Sequence, residues 1–221
     1  MQLEVKTMAE LSEKNITPDF LYWVGSAGSF DDRAKKITRA FVKVLNYANV
    51  SFGVLGVEES TSGDVAKRAG NEFLFQMQAL ANIEVMNSYN IKKIITTCPH
   101  SFNILKNEYP DLGGNYEVYH HSEFVHDLIE SKKITISQNS IEEVMTYHDP
   151  CYLGRGNNIY NQPREIIKRL SKNFIEMPRN KRNSLCCGAG GAQMFKEAEK
   201  GSAEINIVRT QEALDTKSKI I

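Results

Sequence analysis

Displaced by 125 positions, the sequence falls on itself. Ser26 lands on Cys151, and Thr61, Ser62 and Gly63 land on Cys186, Cys187 and Gly188. The apolar run at 50–55 lands near 175–180. With a one-residue slip, the stretch beginning at Asn82 matches the one beginning at Asn206, and Lys93-Ile94-Ile95 matches Lys219-Ile220-Ile221. Recurrence at one offset is the mark of a duplicated supersecondary unit. Whatever one copy folds into, the other must be able to fold into as well.

The pattern inside each copy indicates what that unit is. Short apolar runs at 19–24, 50–55, 91–97, 116–119, 144–148 and 173–177 read as strands, several of them ending at glycine, proline or polar turns. Helical spacing is expected over 31–45, 68–89, 102–109, 120–131 and 164–170, and through most of 193–214. The 102–109 helix should stop at Pro110. Gly25 to Ser29 reads as a glycine-rich loop, and 58–64 as another. Phe73, Phe75, Met77 and Leu80 read as core. Strands alternating with helices argue for parallel α/β units. The expected fold class is α/β, two pseudo-repeated parallel-sheet units facing each other. Residues 1–18 would form a polar N-terminal arm or short helix, 19–130 the first copy and 131–221 the second.

Open α/β sheets carry ligands at the carboxyl ends of their strands. There the second copy has Tyr147-His148-Asp149-Pro150-Cys151, and 35 and 36 positions later Cys186-Cys187, with Gly188, Gly190 and Gly191 following. Adjacent cysteines cannot bridge each other without strain, but both can face one metal centre. The glycines let backbone approach a bulky object and read as the opening of a helix. The spacing is neither a dinucleotide fingerprint nor a P-loop. A buried free thiol or two is the plainer alternative. In the first copy the same loops carry Ser26, Thr61-Ser62 and Cys98-Pro99-His100-Ser101. The second-copy counterpart of Cys98 would fall near position 223 or 224, beyond Ile221, so the second copy is expected to be truncated before its final motif.

Composition narrows the field. With 27 basic and 27 acidic residues, no broad electrostatic surface for nucleic acid is expected. There is no apolar run long enough to span a membrane, although docking on a membrane partner stays open. The start lacks the pattern of a signal peptide. Four cysteines without an export signal point to a cytoplasmic chain and away from a disulfide framework.

At these residues the chain resembles the cysteine-rich (CCG) domain iron–sulfur proteins, the family of the B-type heterodisulfide reductase proteins and the lactate-utilisation iron–sulfur oxidoreductases. The resemblance is carried by Ala27-Gly28-Ser29-Phe30-Asp31-Asp32-Arg33, Thr97-Cys98-Pro99-His100, His148-Asp149-Pro150-Cys151-Tyr152-Leu153-Gly154-Arg155 and Cys186-Cys187-Gly188-Ala189-Gly190-Gly191. It implies a 4Fe-4S cluster held by Cys151, Cys186 and Cys187, with Gly188 beside them and Cys98 as a ligand in the first copy. It also implies electron transfer with a redox partner subunit, whether a ferredoxin-like, flavin or iron–sulfur protein. The chain departs from the family where Ser26, Thr61 and Ser101 stand in cysteine positions and where the last Cys-x-x-Cys is missing. Three thiolates can hold a three-iron cluster, a depleted cluster, or zinc with a fourth ligand from histidine or water. A cluster-free interaction module retaining the fold stays open beside these.

The remaining candidates each have a plainer role. His148 could touch the centre or simply bond Asp149, the favoured reading. His100 could line the first pocket. The pair His120-His121 suggests zinc, but a surface or capping role is the more common one. His126 reads as a helix-face residue. Arg33, Arg155 and Arg179 could offset cluster charge or form ordinary ion pairs.

Overall fold

The computed structural model describes residues 3–198 and 200–221. Met1, Gln2 and Glu199, which fall within the expected arm and the expected 193–214 helix, lie outside the described residues. The chain divides into two compact units, Met1–Phe124 and Val125–Ile221.

In the first unit, α1 (Met8–Glu13) is started by a capping box in which Thr7 and Glu10 satisfy each other's main-chain N–H groups. Then come β1 (Phe20–Trp23), α2 (Gly25–Phe30), α3 (Asp32–Tyr47) and β2 (Phe52–Gly53). They are followed by α4 (Asp64–Arg68), α5 (Glu72–Ser88), β3 (Lys93–Thr96), α6 (Pro99–Asn107) and β4 (Glu117–His120). The strands form one parallel sheet in the order β2-β1-β3-β4. A parallel sheet covered by its crossover helices is buried on both faces. Accordingly Leu21, Tyr22, Trp23, Ile94 and Ile95 have no exposed surface. The α/β expectation is met.

Several local expectations are not. The loop expected at Gly25–Ser29 is the helix α2. Its first N–H groups are satisfied from outside, because the Glu59 carboxylate accepts from Val24 N at 3.0 Å and Gly25 N at 2.5 Å. The single helix expected over 68–89 is broken at Gly70, whose φ of +86° suits a residue without Cβ. Of the four residues expected in the core there, only Phe75 is buried; Phe73, Met77 and Leu80 are exposed. The helix α5 is apolar around much of its circumference, so its pattern does not mark which face is buried. The helix α6 begins earlier than expected, with Pro99 in its first turn, and Pro110 lies inside a 3-10 turn, Tyr109–Leu112.

The helix α7 (His121–Glu130) precedes the second unit's own elements, α8 (Gly154–Asn157), α9 (Asn161–Leu170) and α10 (Ile205–Asp215). The strands expected at 144–148 and 173–177 shrink to single pairings. Met145 pairs in parallel with Phe174 on one side and Ile220 on the other. That is the order of the first unit, where Leu21 lies between Gly53 and Ile94. The helix expected over 193–214 is a 3-10 turn at Gln193–Phe195 and then α10. Gly188, Gly190 and Gly191 therefore open no α-helix.

Candidate metal centre

In the second unit, Pro150 O accepts from Leu153 N at 3.1 Å and Gly154 N at 2.9 Å, turning the chain at Cys151 into α8. The second loop is positioned by Asp149. Its carboxylate is buried, takes a bidentate pair from Arg164 at 2.7 Å for each bond, and accepts the main-chain N–H of Lys181 at 2.7 Å. Ser184 Oγ donates to Asp149 O at 3.3 Å, and Arg155 donates to Ser184 O at 2.7 Å. These bonds hold the loop that delivers Cys186 and Cys187 beside the turn that carries Cys151.

The three sulfurs come within electrostatic reach of one another. Burial pushes the Cys151 thiol up, and the neighbouring Cys186 and Cys187 sulfurs push it the same way, against Arg155. The Cys187 thiol is instead pulled down to about 6, first by a hydrogen bond with the His148 side chain and then by main-chain N–H groups of Ala189 and Gly190. Gly188 N donates to Cys186 Sγ and Ala189 N to Cys187 Sγ, each at 3.4 Å. Gly188 has φ +78°, and a Cβ there would lie 2.9 Å from the main-chain nitrogen of Asn206. A cavity of about 680 Å³ opens beside Cys186, bounded also by Gly188, Met194, Lys196, Glu197 and Asn206.

The histidine readings are corrected. His148 is bonded by Arg209 rather than by Asp149: its Nδ1 accepts from Arg209 Nε at 2.9 Å. Arg155 faces Cys151, Arg179 pairs with Glu212 at 3.1 Å, and Arg33 is exposed. His126 bonds Glu165 at 2.5 Å, more than a bare helix-face role. Buried Arg164 and Arg209 escaped sequence reading altogether, since arginines at helical spacing read as solvated.

The first unit carries no comparable thiol set among its described residues. Cys98 caps α6 and its N–H donates to Thr96 Oγ1 at 3.2 Å. Ser26 is exposed, while Ser62 and Ser101 are buried. His100 bonds Asp64 at 2.9 Å. Thr61 O and Ser62 O are held by Asn82 Nδ2 at 2.8 Å and the Tyr109 hydroxyl at 3.1 Å. His120 is buried and His121 half-buried, with centroids 4.3 Å apart. His120 Nδ1 accepts from Ser122 N at 3.4 Å at the start of α7, in line with the expected capping role. Burial pulls both below the usual range, His121 to about 4.

Does this donor set suit an iron–sulfur cluster? Among the described residues no three His, Cys, Asp or Glu side chains gather at the spacing of a single ion. In a cluster each thiolate binds a different iron, so the sulfurs need not converge on one point. Three thiols on two loops, N–H groups aimed at sulfur and an adjoining cavity fit the cluster.

Parallel α/β units with thiols on the loops beyond their strands define a class of cysteine-loop metal proteins. The cysteine-rich domain (CCG) family model matches residues 21–106 and 145–221. The chain belongs to this cysteine-rich domain family. It is 45% identical over 219 residues to the probable iron-sulfur-binding oxidoreductase FadF of Bacillus subtilis, covering 99% of this chain and 31% of that protein. It is 48% identical over 181 residues to the EtfAB:quinone oxidoreductase of Syntrophomonas wolfei, covering 82% of this chain and 25% of that one. A component of the dihydromethanophenazine:CoB–CoM heterodisulfide reductase of Methanosarcina barkeri is 31% identical over 214 residues, 92% of this chain and 50% of that component. The chain thus spans between a quarter and a half of the length of these relatives. No solved structure matches it. Among the described residues no helix is long and apolar enough to cross a membrane.

Proposed function

We propose that the chain is an iron–sulfur electron-transfer part of a larger oxidoreductase, with its cluster on the second unit. Cys151, Cys186 and Cys187 would hold the cluster, of the 4Fe-4S kind, and when bound it supplies a one-electron store. The observation that carries this reading is the set of three thiols on two loops, with Gly188 and Ala189 N–H groups donating to two of the sulfurs. Such N–H groups stabilise thiolate, the form that binds iron. The names of the relatives support the class, and their greater length supports a redox partner in the same assembly, ferredoxin-like, flavin or iron–sulfur. Zinc is the weaker reading, because a structural zinc site wants closed tetrahedral ligands and the described residues gather no such set. The free state of all four cysteines supports a reducing, cytoplasmic setting.

A second reading applies to the first unit alone. Glu59 satisfies the loop beyond β1, and Asn82 and Tyr109 satisfy the loop beyond β2. These bonds support a cluster-free unit retained for fold and subunit contact.

The test is anaerobic reconstitution with iron and sulfide, read by metal analysis and visible absorption. The chain should take up iron and colour, and Cys187→Ser should lose both. A wild-type chain that takes up no iron would overturn the reading.

A further inference from the structure

We propose that the crevice beyond β1 and β3 of the first unit is a binding site for a small uncharged molecule, whose carbonyl oxygen is held by the Trp23 indole N–H. The site lies within the first unit and does not rest on the iron–sulfur reading.

The topology picks the place. In the order β2-β1-β3-β4, the chain leaving β1 crosses to one side and the chain leaving β3 to the other. Neighbouring strands whose connections diverge leave a crevice at their carboxyl ends, where open α/β sheets take ligands. Trp23 ends β1, and Thr96, its in-register neighbour, ends β3. Gly25 follows Trp23 by two positions, and Ser101 stands in the first turn of α6, the helix after β3.

Two polar atoms, one from each side of the crevice, meet at one point. A Cβ on Gly25 would lie 3.7 Å from Ser101 Oγ and 3.9 Å from Trp23 Nε1. Glycine leaves that point to another atom. The indole has no exposed surface, and Ser101 is 5% exposed. Trp23 Nε1–H donates and cannot accept, yet among the described residues it has no hydrogen-bond partner. A buried donor left unpaired is costly, so an orphan at the carboxyl edge of a sheet calls for a bound acceptor. His120 is in register with Thr96 on the same row, and its buried Nε2 is likewise without a partner among the described residues.

Charge decides the class of molecule. The Glu59 carboxylate bonds the same turn, accepting from Gly25 N at 2.5 Å. An anion beside it would meet a like charge. A neutral carbonyl oxygen meets the indole donor without that repulsion.

Trp23 is the single tryptophan of the chain, so its indole N–H reports on this site alone. The full chain is labelled with 15N-tryptophan, and the indole 1H–15N resonance is followed in mildly alkaline buffer as acetamide, or in a parallel series acetate, is added. Acetamide should move the resonance along a saturating curve, and acetate should bind more weakly. Ser101→Ala should weaken acetamide by about threefold or more, and Gly25→Ala, which fills the point, should abolish the shift. Thermal melts confirm that the variants fold; if Gly25→Ala does not, Ser101→Ala decides alone. A resonance that acetamide leaves in place, or moves without saturation, overturns the site, as does an unchanged curve in Ser101→Ala. Acetate binding as tightly as acetamide overturns the preference for an uncharged molecule. No iron enters the measurement, so its failure leaves the reading of the second unit untouched.

Discussion

Asp149 accepts the main-chain N–H of Lys181 at 2.7 Å, across 32 positions of chain. The same carboxylate carries the bidentate bond from Arg164, and both residues are 3% exposed. Removing one partner of a buried pair leaves the other charge unbalanced. Asp149→Ala should therefore lower stability by about 3 kcal/mol, at the lower end of the range for such pairs because Glu176 still bonds Arg164. Urea unfolding checks this. The variant should also take up less iron, since the loop leading to Cys186 loses its anchor.

The cysteines should differ in reactivity. In the reduced, metal-free chain at pH 7, Cys187, with its thiol near 6, is largely thiolate, whereas the Cys151 thiol lies above the ordinary value. Thiolate is the nucleophile, although its nucleophilicity falls with pKa, so Cys187 should alkylate about tenfold faster than Cys151. Mass spectrometry of iodoacetamide-treated peptides over time gives the ratio.

Glu59 gives a pH dependence of known sign. Burial raises its carboxyl from 4.5 to about 7, against the bonds from Val24 and Gly25. With the folded value above the unfolded one, the stabilisation is fully present below pH 4.5 and is lost as pH rises through about 7. Allowing for partial exposure, the loss is on the order of 2 kcal/mol. Glu59→Gln should flatten this part of the stability–pH curve, measured by chemical denaturation at pH steps across the window.

Gly188→Ala tests the seat of the double cysteine. The position combines φ +78° with a Cβ 2.9 Å from Asn206 N, which is backbone and cannot swing aside. Left-handed strain alone is worth about 1–2 kcal/mol, and the clash adds to it. The urea midpoint should fall accordingly, with α10 displaced from the loop.

Much of the architecture was readable in the sequence because a parallel sheet writes itself as unbroken apolar runs. Phe20–Trp23 and Lys93–Thr96 stand inside the expected strands, and Met145 pairs with Phe174 and Ile220 as Leu21 does with Gly53 and Ile94. The three thiols were readable because little else explains Cys186-Cys187 ahead of glycines. What escaped was long-range satisfaction of polar groups. Nothing local at Gly25 says that a carboxylate 34 residues away will complete a helix start. Nothing near His148 points to an arginine 61 positions on. Periodicity also failed on α5, where apolar residues on several faces left Phe73 and Met77 exposed and Phe75 buried.

The reach of Arg209 sets the smallest fragment that could be transplanted as a working thiol cradle. A graft of the two cysteine loops onto a foreign scaffold would leave behind the guanidinium on α10 that grips residues 148, 179 and 184. The motif is short, but its portable unit extends from the paired residue Met145, before Cys151, through the helix that follows the double cysteine.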